Sequence, residues 1–467
     1  MRPLLVFLVF LSWGYPQEWV KEQIDTCDFP AYPIDFLDVS LATNRAGSPC
    51  VAYGWLKWRG DSSLWAIRYA ERRGMNEWHI EMVDSSLGLY IYNFPSLRLD
   101  SLDRPHIAYL KSGANYDRVV YATRADSSWL LEDVDSVVSA SLHTVPNLAL
   151  SATGVPHLAY HAYDTASGLL DLRYALRWAD SWQIQVLWRS DTRRAWGGTI
   201  ALGRKDRPSI AFASLGQGTP QRDSLLYLWR DSTEWHTSIV DTPYYATLPS
   251  MQLDSMERPR LVYTWDGTAV YAFLEDSTWH LEWIPANFAH EMKLDSRELP
   301  HVAAFPPLLW LPFYYYKDLS GSWHEEGLEK HPAIARGDPS VALDQRDAPY
   351  VAYWFQPQLA QGPGYLVVAH KTVGVESPFQ HPLPSPQFVV FPSISRQFCF
   401  LFSAESSGNL KIYTSHGSLV FARPIPLGLS SWTWHALRPS GKPLPKGIYF
   451  ARFESGPLRL SRKLVIQ

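Results

Sequence analysis

Cysteine is almost absent, occurring only as Cys27, Cys50 and Cys399, and methionine occurs only 6 times in 467 residues. Three cysteines cannot build a disulfide framework, and none stands at a spacing that zinc requires. At most one bridge can form, with Cys27 and Cys50 as the candidate pair in an oxidising compartment. Basic charge is not in excess either. Lys plus Arg is 42 against 46 for Asp plus Glu, a net charge of −4, so nothing neutralises a phosphate backbone and nucleic acid is excluded as a partner. Beyond the first residues no apolar run approaches the roughly 20 residues that span a bilayer. What is abundant is Trp (21), Tyr (25) and Pro (35), a balance that favours strands and turns over long helices. With 46% hydrophobic and 19% charged residues, disorder is excluded, and the length calls for two or more packed units.

At the start, Arg2 precedes the apolar run Leu4 to Leu11 and then Ser12-Trp13-Gly14. This is the pattern of an export signal over residues 1–16, too short for a span. The mature chain is therefore expected to be secreted, extracellular or attached to the outer cell surface, without a transmembrane segment.

The pattern Pro-x-aliphatic-Ala-aromatic then recurs at Pro49, Pro105, Pro156, Pro208, Pro259, Pro300 and Pro349, at intervals of 56, 51, 52, 51, 41 and 49. Before each copy lies an alternating segment such as Ser96-Leu97-Arg98-Leu99-Asp100, which is half-buried strand spacing. A third strand follows, and a fourth opens at Trp78, Trp129, Trp182, Trp235, Trp279 and Trp323. Four strands per unit of about fifty residues predict a β-propeller, because one small twisted sheet cannot bury both faces until neighbours stack on it. The seventh repeat lacks a Trp-led strand, yet Trp19-Val20-Lys21-Glu22-Gln23-Ile24-Asp25 copies the WxxExVD form of that strand. The expectation is a seven-bladed propeller over 17–372, closed by this N-terminal strand so that no edge remains open.

A Pro-rich linker, 373–387, leads to short apolar strands over 388–467 separated by Gly, Ser and Pro turns, which predict a small β-sandwich. Its landmarks are Leu410-Lys411-Ile412-Tyr413, Gly417, Val420, Trp434, Gly441 through Phe450, and Arg462-Lys463-Leu464-Val465. In that order they resemble the C-terminal sorting domains (type A) of the type IX secretion system, although Thr414 and His435 stand where that family usually carries acidic residues. The resemblance implies the outer-membrane secretion machinery as a partner of 388–467.

Turn lengths separate the two propeller faces. Connections between first and second strands and those before each Trp are tight, whereas the others are long and varied and emerge together, where loop-borne function resides. That face is expected to carry Trp55, Trp58, Tyr90, Tyr92, Trp196, Tyr244, Tyr245, Trp265, Trp310 and Trp354, with Arg193 and Arg194. Flat rings with polar tips suit sugars or a partner protein's side chains. Alternation also turns Asp38, Ser96, Asn147, Thr199, Ser250, Glu291 and Ser340 toward a central channel, with Ser40, Arg98, Gln252 and Lys293 one step along. Of these, Asp38, Arg98, Glu291 and Lys293 are the charged candidates for a cation or ligand. The Pro-His pairs at His106, His157 and His301 vary across repeats, to Cys50, Ser209, Arg260 and Tyr350, which fits packing better than shared chemistry.

The turns RADSSW, WRDSTEW, LEDSTW and DLSGSW lack the SxDxGxTW spacing of sialidase-like propellers. No nucleophile elbow, Gly-rich phosphate loop or metal-ligand pair appears, so no catalytic residue, metal or cofactor is assigned. The reading is a secreted binding or adhesion propeller for a glycan or surface protein. The alternative is an extracellular glycosidase or lyase whose site is assembled from several blades.

Overall fold

The computed structural model describes residues 19–28, 37–59, 62–87, 91–111, 116–126, 128–138, 145–164, 167–216, 223–243, 249–305, 311–329, 334–335, 337–356, 363–371, 387–391, 394–395, 398–403, 407–425, 431–438, 442–455 and 458–466. The export-signal expectation at 1–16 and nearly all of the linker fall outside them. Apart from one 3-10 turn at Arg204–Asp206, the described elements are strands. No helix among these residues is long and apolar enough to cross a membrane.

The repeats fold as antiparallel sheets. Blade 1 comprises Val39–Thr43, Pro49–Arg59, Ser62–Gly74 and Glu77–Leu87, hydrogen-bonded in that order. Five more four-stranded sheets follow in sequence, ending with Phe288–Leu294, Pro300–Phe305, Phe313–Lys317 and Trp323–Gly327. The seventh joins Ser340–Leu343, Pro349–Gln356 and Pro363–Lys371 to the N-terminal strand Trp19–Asp28, which pairs antiparallel with Pro363–Lys371 from Trp19 opposite Lys371 to Asp28 opposite Pro363. Each repeat proline opens the second strand, the position in a sheet where a residue without an N–H is tolerated. Leu99 opposite Pro105 and Leu253 opposite Pro259 are examples.

Packing between blades explains the rest of the pattern. The motif tyrosine is buried, and its hydroxyl donates to an acid at the end of the preceding blade's fourth strand: Tyr53 to Asp25, Tyr109 to Asp84 and Tyr160 to Asp135, each at 2.8 Å. The strand-opening Trp donates its Nε1–H to the residue three places after the preceding blade's Trp: Trp78 to Glu22 (3.0 Å), Trp129 to Glu81 (2.9 Å), Trp182 to Glu132 (3.1 Å) and Trp19 to Glu326 (2.8 Å). Its ring meets a third-strand tyrosine edge-on, as in Trp129 with Tyr69 and Trp19 with Tyr314 at 5.6 and 5.2 Å, an arrangement that adds attraction beyond area burial. Trp, Glu and Asp of the WxxExVD form are thus three fasteners to neighbouring blades, and Trp19, Glu22 and Asp25 use all three.

In several blades the residue after the motif proline serves the third-strand tyrosine. His106 and His157 meet the hydroxyls of Tyr121 and Tyr174 at 2.5 and 2.7 Å, His301 meets Tyr314, and Ser209 meets Tyr227 at 3.1 Å. Burial disfavours the imidazolium there and brings His157 down to about 4. One partner for a phenol is all the position requires, which is why it varies. Cys27 and Cys50 are buried free thiols, and burial pushes Cys50 up to about 12.

The C-terminal strands form two sheets, one of Gln387–Phe391, Phe398–Ser403 and Ser431–Trp434, the other centred on Gly408–Thr414, Gly447–Ser455 and Leu458–Ile466. Phe398, Phe400 and Trp434 of the first share one core with Leu410, Ile412, Ala451, Phe453 and Leu464 of the second. This is a sandwich.

Candidate functional site: the long-loop end of the central channel

Seven first strands line the channel, and their inward polar side chains do one repeated job. Ser40 Oγ accepts the backbone N–H of Leu97 in the next blade (3.0 Å), Ser96 that of Leu148 (3.0 Å), Asn147 that of Ile200 (3.2 Å), Thr199 that of Met251 (3.2 Å) and Ser250 that of Met292 (3.1 Å). Glu291 accepts from Val341 (3.3 Å) and Ser340 from Leu41 (2.8 Å), which returns the circle to blade 1. These residues face the channel as the alternation predicts, but as staples between blades. In blade 1 the staple is Ser40, so the sequence-based equivalence of Asp38 with Ser96 is corrected by one strand period of two residues.

Asp38 is thereby freed for something else. It precedes Val39–Thr43 and is 3% exposed. Its Oδ1 accepts the N–H of Asp338 at 2.9 Å, while its Oδ2 is buried without a partner among the described residues. Gly337 makes this approach feasible: at φ +85° it lies so close to blade 1 that a Cβ there would sit 2.3 Å from the Leu37 carbonyl oxygen. Burial, reinforced by the negative charge of Asp338, pushes the Asp38 carboxyl well above the usual carboxylate range, against the pull of the Asp338 N–H. Asp338 in turn binds His290 Nδ1 at 2.9 Å, and His290 Nε2 is buried without a partner among the described residues. His290 stands where the pairing of Phe288–Leu294 slips between Ala289 and Glu291. Such a bulge re-aims a side chain.

Deeper in the channel, Lys293 donates to Glu291, whose other oxygen takes the Ser340 hydroxyl, and Arg98 donates to the Leu97 carbonyl at 2.7 Å. Burial weighs against the charged forms of Lys293 and Arg98, with Glu291 acting the other way. Together these groups line a cavity of about 140 Å³. Phe94, also on its wall, holds φ +85° inside another slip, between Tyr92 and Ser96. A bulky residue there stores about 1–3 kcal/mol of strain, which concentrates at functional sites. Among the described residues no three His, Cys, Asp or Glu side chains are arranged for a metal ion.

Strand direction places Asp38, His290 and Asp338 at the start of first strands, hence on the long-loop face. On the opposite, tight-turn face, neighbouring turns are hydrogen-bonded to one another. The N–H of Arg45, Ser255 and Ser296 donate to Asp103, Glu298 and Asp347 of the next blade at 2.9, 2.7 and 2.9 Å.

The aromatic candidates divide by burial. Trp58 is 43% exposed; Trp196 and Trp265 are half-buried, tilted against His161 and edge-on to Trp283 respectively, each at 5.0 Å. Trp283, 56% exposed, was not singled out in the sequence because it closes a fourth strand rather than sitting in a long loop. Trp55 and Trp354 are corrected: at 6% and 1% exposure both belong to the core, with Trp55 donating to the Thr26 carbonyl at 2.7 Å beneath the Arg68 guanidinium. Arg193 is tied to Ser214 and Ser224, and Arg194 is exposed. Tyr90, Tyr244, Tyr245 and Trp310, and the side chain of Tyr92, lie outside the described residues. His290 and Asp338 were missed as well. The signal that could have found them is the interruption of alternation before Glu291 and Ser340.

An all-β propeller with a polar cavity at one end of its channel is the class these features define. No family model and no curated protein matches the sequence. Among solved structures, a protein of unknown function from Dyadobacter fermentans DSM 18053 is 14% identical, covering 61% of this chain and 95% of its own at a TM-score of 0.45. PorZ, a surface component of the type-IX secretion system of Porphyromonas gingivalis, is 11% identical over 92% of this chain and 70% of its own, with a TM-score of 0.34. The polysaccharide lyase Uly1 is 9% identical over 76% and 99%, with a TM-score of 0.49. All three likenesses are distant, and the fold rests on the strand pairing itself.

The half-partnered Asp38 carboxyl leaves a mark on stability. Because the folded carboxyl of Asp38 binds its proton more tightly than the unfolded one, its contribution is present below the unfolded value and is lost as pH rises through the folded value. Asp38→Asn is expected to flatten the alkaline limb of a plot of melting temperature against pH. An unchanged limb would show that Asp38 ionises freely.

Proposed function

We propose that the chain is an exported binding propeller that recognises a glycan at its long-loop face, with 388–467 serving the outer-membrane secretion machinery as a sorting domain. The observation that carries the binding reading is the contrast between the two ends of one channel. At the tight-turn end the turns are hydrogen-bonded from blade to blade, while the long-loop end opens on a polar cavity lined by two residues, Asp38 and His290, that each keep one buried polar atom without a partner among the described residues, with exposed Trp58 and Trp283 at the ends of their strands on the same face. Buried polar atoms are almost always paired in a folded protein, so a pair left open in one cavity marks a place for a ligand's polar groups.

The test is retention of the full chain on a polysaccharide array, with the supernatant assayed for reducing ends and unsaturated sugars. A binder is retained and releases nothing, whereas released product moves the reading to a glycosidase or lyase. Trp58→Ala and Trp283→Ala, made singly, are each expected to weaken retention about tenfold if the ring is an anchor. Their stability should stay within about 0.5 kcal/mol of the parent, as for exposed positions generally. Retention unaltered in both variants removes the aromatic rim from the reading.

A further inference from the structure

We propose that Asp38 and His290 form a donor–acceptor pair at the channel mouth that binds one hydroxyl of a chain-terminal sugar. This rests on the glycan reading and names the part of the glycan that enters. A sugar hydroxyl both donates and accepts a hydrogen bond, so its complement is one donor beside one acceptor.

The two side chains supply those roles for separate reasons. His290, which lines the cavity, gives its Nδ1–H to the Asp338 carboxylate at 2.9 Å, which fixes the tautomer and leaves the buried Nε2 lone pair as an acceptor. Asp38 spends Oδ1 on the Asp338 N–H. Its buried Oδ2, next to the Asp338 charge, keeps a proton and donates it. Both groups are held by residue 338, so they share one corner of the cavity. Asp38 Oδ2 and His290 Nε2 have no hydrogen-bond partner among the described residues.

Size argues for a chain end. The cavity is about 140 Å³, close to the roughly 150 Å³ that takes a benzene molecule, so it admits part of one sugar ring with its hydroxyls and not a run of sugars. The interior of a polysaccharide, with a neighbour on either side, cannot enter a channel whose walls are joined strand to strand by seven staples. A terminal ring can enter, with its chain leaving across the exposed rim. Glu291, Lys293 and Arg98 lie at its inner end with hydrogen-bonding capacity for further hydroxyls.

The experiment measures thermal protection of the full chain by free glucose, galactose, mannose, N-acetylglucosamine and rhamnose at up to 100 mM. At least one sugar should protect the parent chain. Asp38→Leu and His290→Phe should each weaken that protection at least tenfold in half-saturating concentration, while Asp38→Asn, whose Nδ2–H still donates, should retain it. Raising the pH should weaken sugar protection in the parent and not in Asp38→Asn. Asp338, His290, Glu291, Lys293 and Arg98 face the same cavity in both proteins, so the difference reports Asp38. Protection that survives Asp38→Leu and His290→Phe overturns the proposal, as does an Asp38→Asn variant that folds and is not protected. Array retention without monosaccharide protection overturns the channel-mouth receptor and leaves the glycan reading standing. Monosaccharide protection without retention overturns the glycan reading and with it the chain-terminal sugar proposed here, leaving only a free-sugar site, and absence of both removes the two together.

Discussion

Replacing Glu22 by alanine is expected to lower the stability of the full chain by about 3–5 kcal/mol, the range for breaking a buried ion pair from one side. Glu22 is 1% exposed and lies on Trp19–Asp28, where the chain's beginning meets its seventh blade. Its carboxylate receives the Asn76 N–H (2.9 Å), the Trp78 indole N–H (3.0 Å), an Arg72 guanidinium (2.8 Å) and His370 Nε2 (3.0 Å). Asn76, Trp78 and Arg72 belong to blade 1 and His370 to blade 7, so one side chain bolts the closing strand to both of its neighbours. Truncation removes the acid partner of a half-buried guanidinium and leaves an indole N–H unpaired at once, which is costlier than losing the contacts themselves. Burial opposes ionisation of Glu22, but His370, Arg72 and the Asn76 N–H outweigh it and hold the carboxyl below the usual glutamate range. A depressed folded value means stability that is present above the unfolded value and is lost as pH falls through the folded one. Urea denaturation at neutral pH should therefore separate parent from Glu22→Ala widely, and the gap should shrink in acid, with Glu22→Gln between them. Equal midpoints for parent and alanine variant would mean that the closing strand contributes no stability.

The repeat was legible in the sequence because each of its letters is a contact. Proline starts the second strand, the motif tyrosine reaches an acid of the preceding blade, and Trp, Glu and Asp of the fourth strand fasten to neighbours, so drift at any of them is penalised in every copy. That is also why Trp19 through Asp25 could be matched to a blade more than 300 residues away. The staple ring was visible as an alternation but not as a function, since a serine facing a channel and a serine accepting an N–H from the next blade look alike in one dimension. The channel mouth was harder still. His290 is placed by a one-residue slip, and Asp338 by a close approach that needs Gly337. Slips and close approaches break periodic patterns instead of making them, so the reading that found the blades passed over the residues at the mouth.

Aromatic residues raise the opposite problem, since a tryptophan reads the same whether it anchors a ligand or fills a seam. Trp354 settles between blades 7 and 1, packed with Ile24, Cys27, Tyr53, Trp55 and Leu366, with Tyr53 edge-on at 5.9 Å. At 1% exposure, removing its ring leaves a cavity in a close-packed region where three strands of different origin meet. Trp354→Ala should therefore destabilise the chain by about 3–5 kcal/mol, whereas Trp58→Ala and Trp283→Ala should hardly change the denaturation midpoint. Sugar and polysaccharide binding should follow the inverse order: Trp354→Ala, assayed where it remains folded, should bind like the parent, and the two rim variants should not. Trp354→Phe, which restores part of the volume, should recover part of the stability. A Trp354→Ala chain that stayed as stable as the parent while losing its ligand would return this residue to the binding face and would contradict the burial that separates seam from rim.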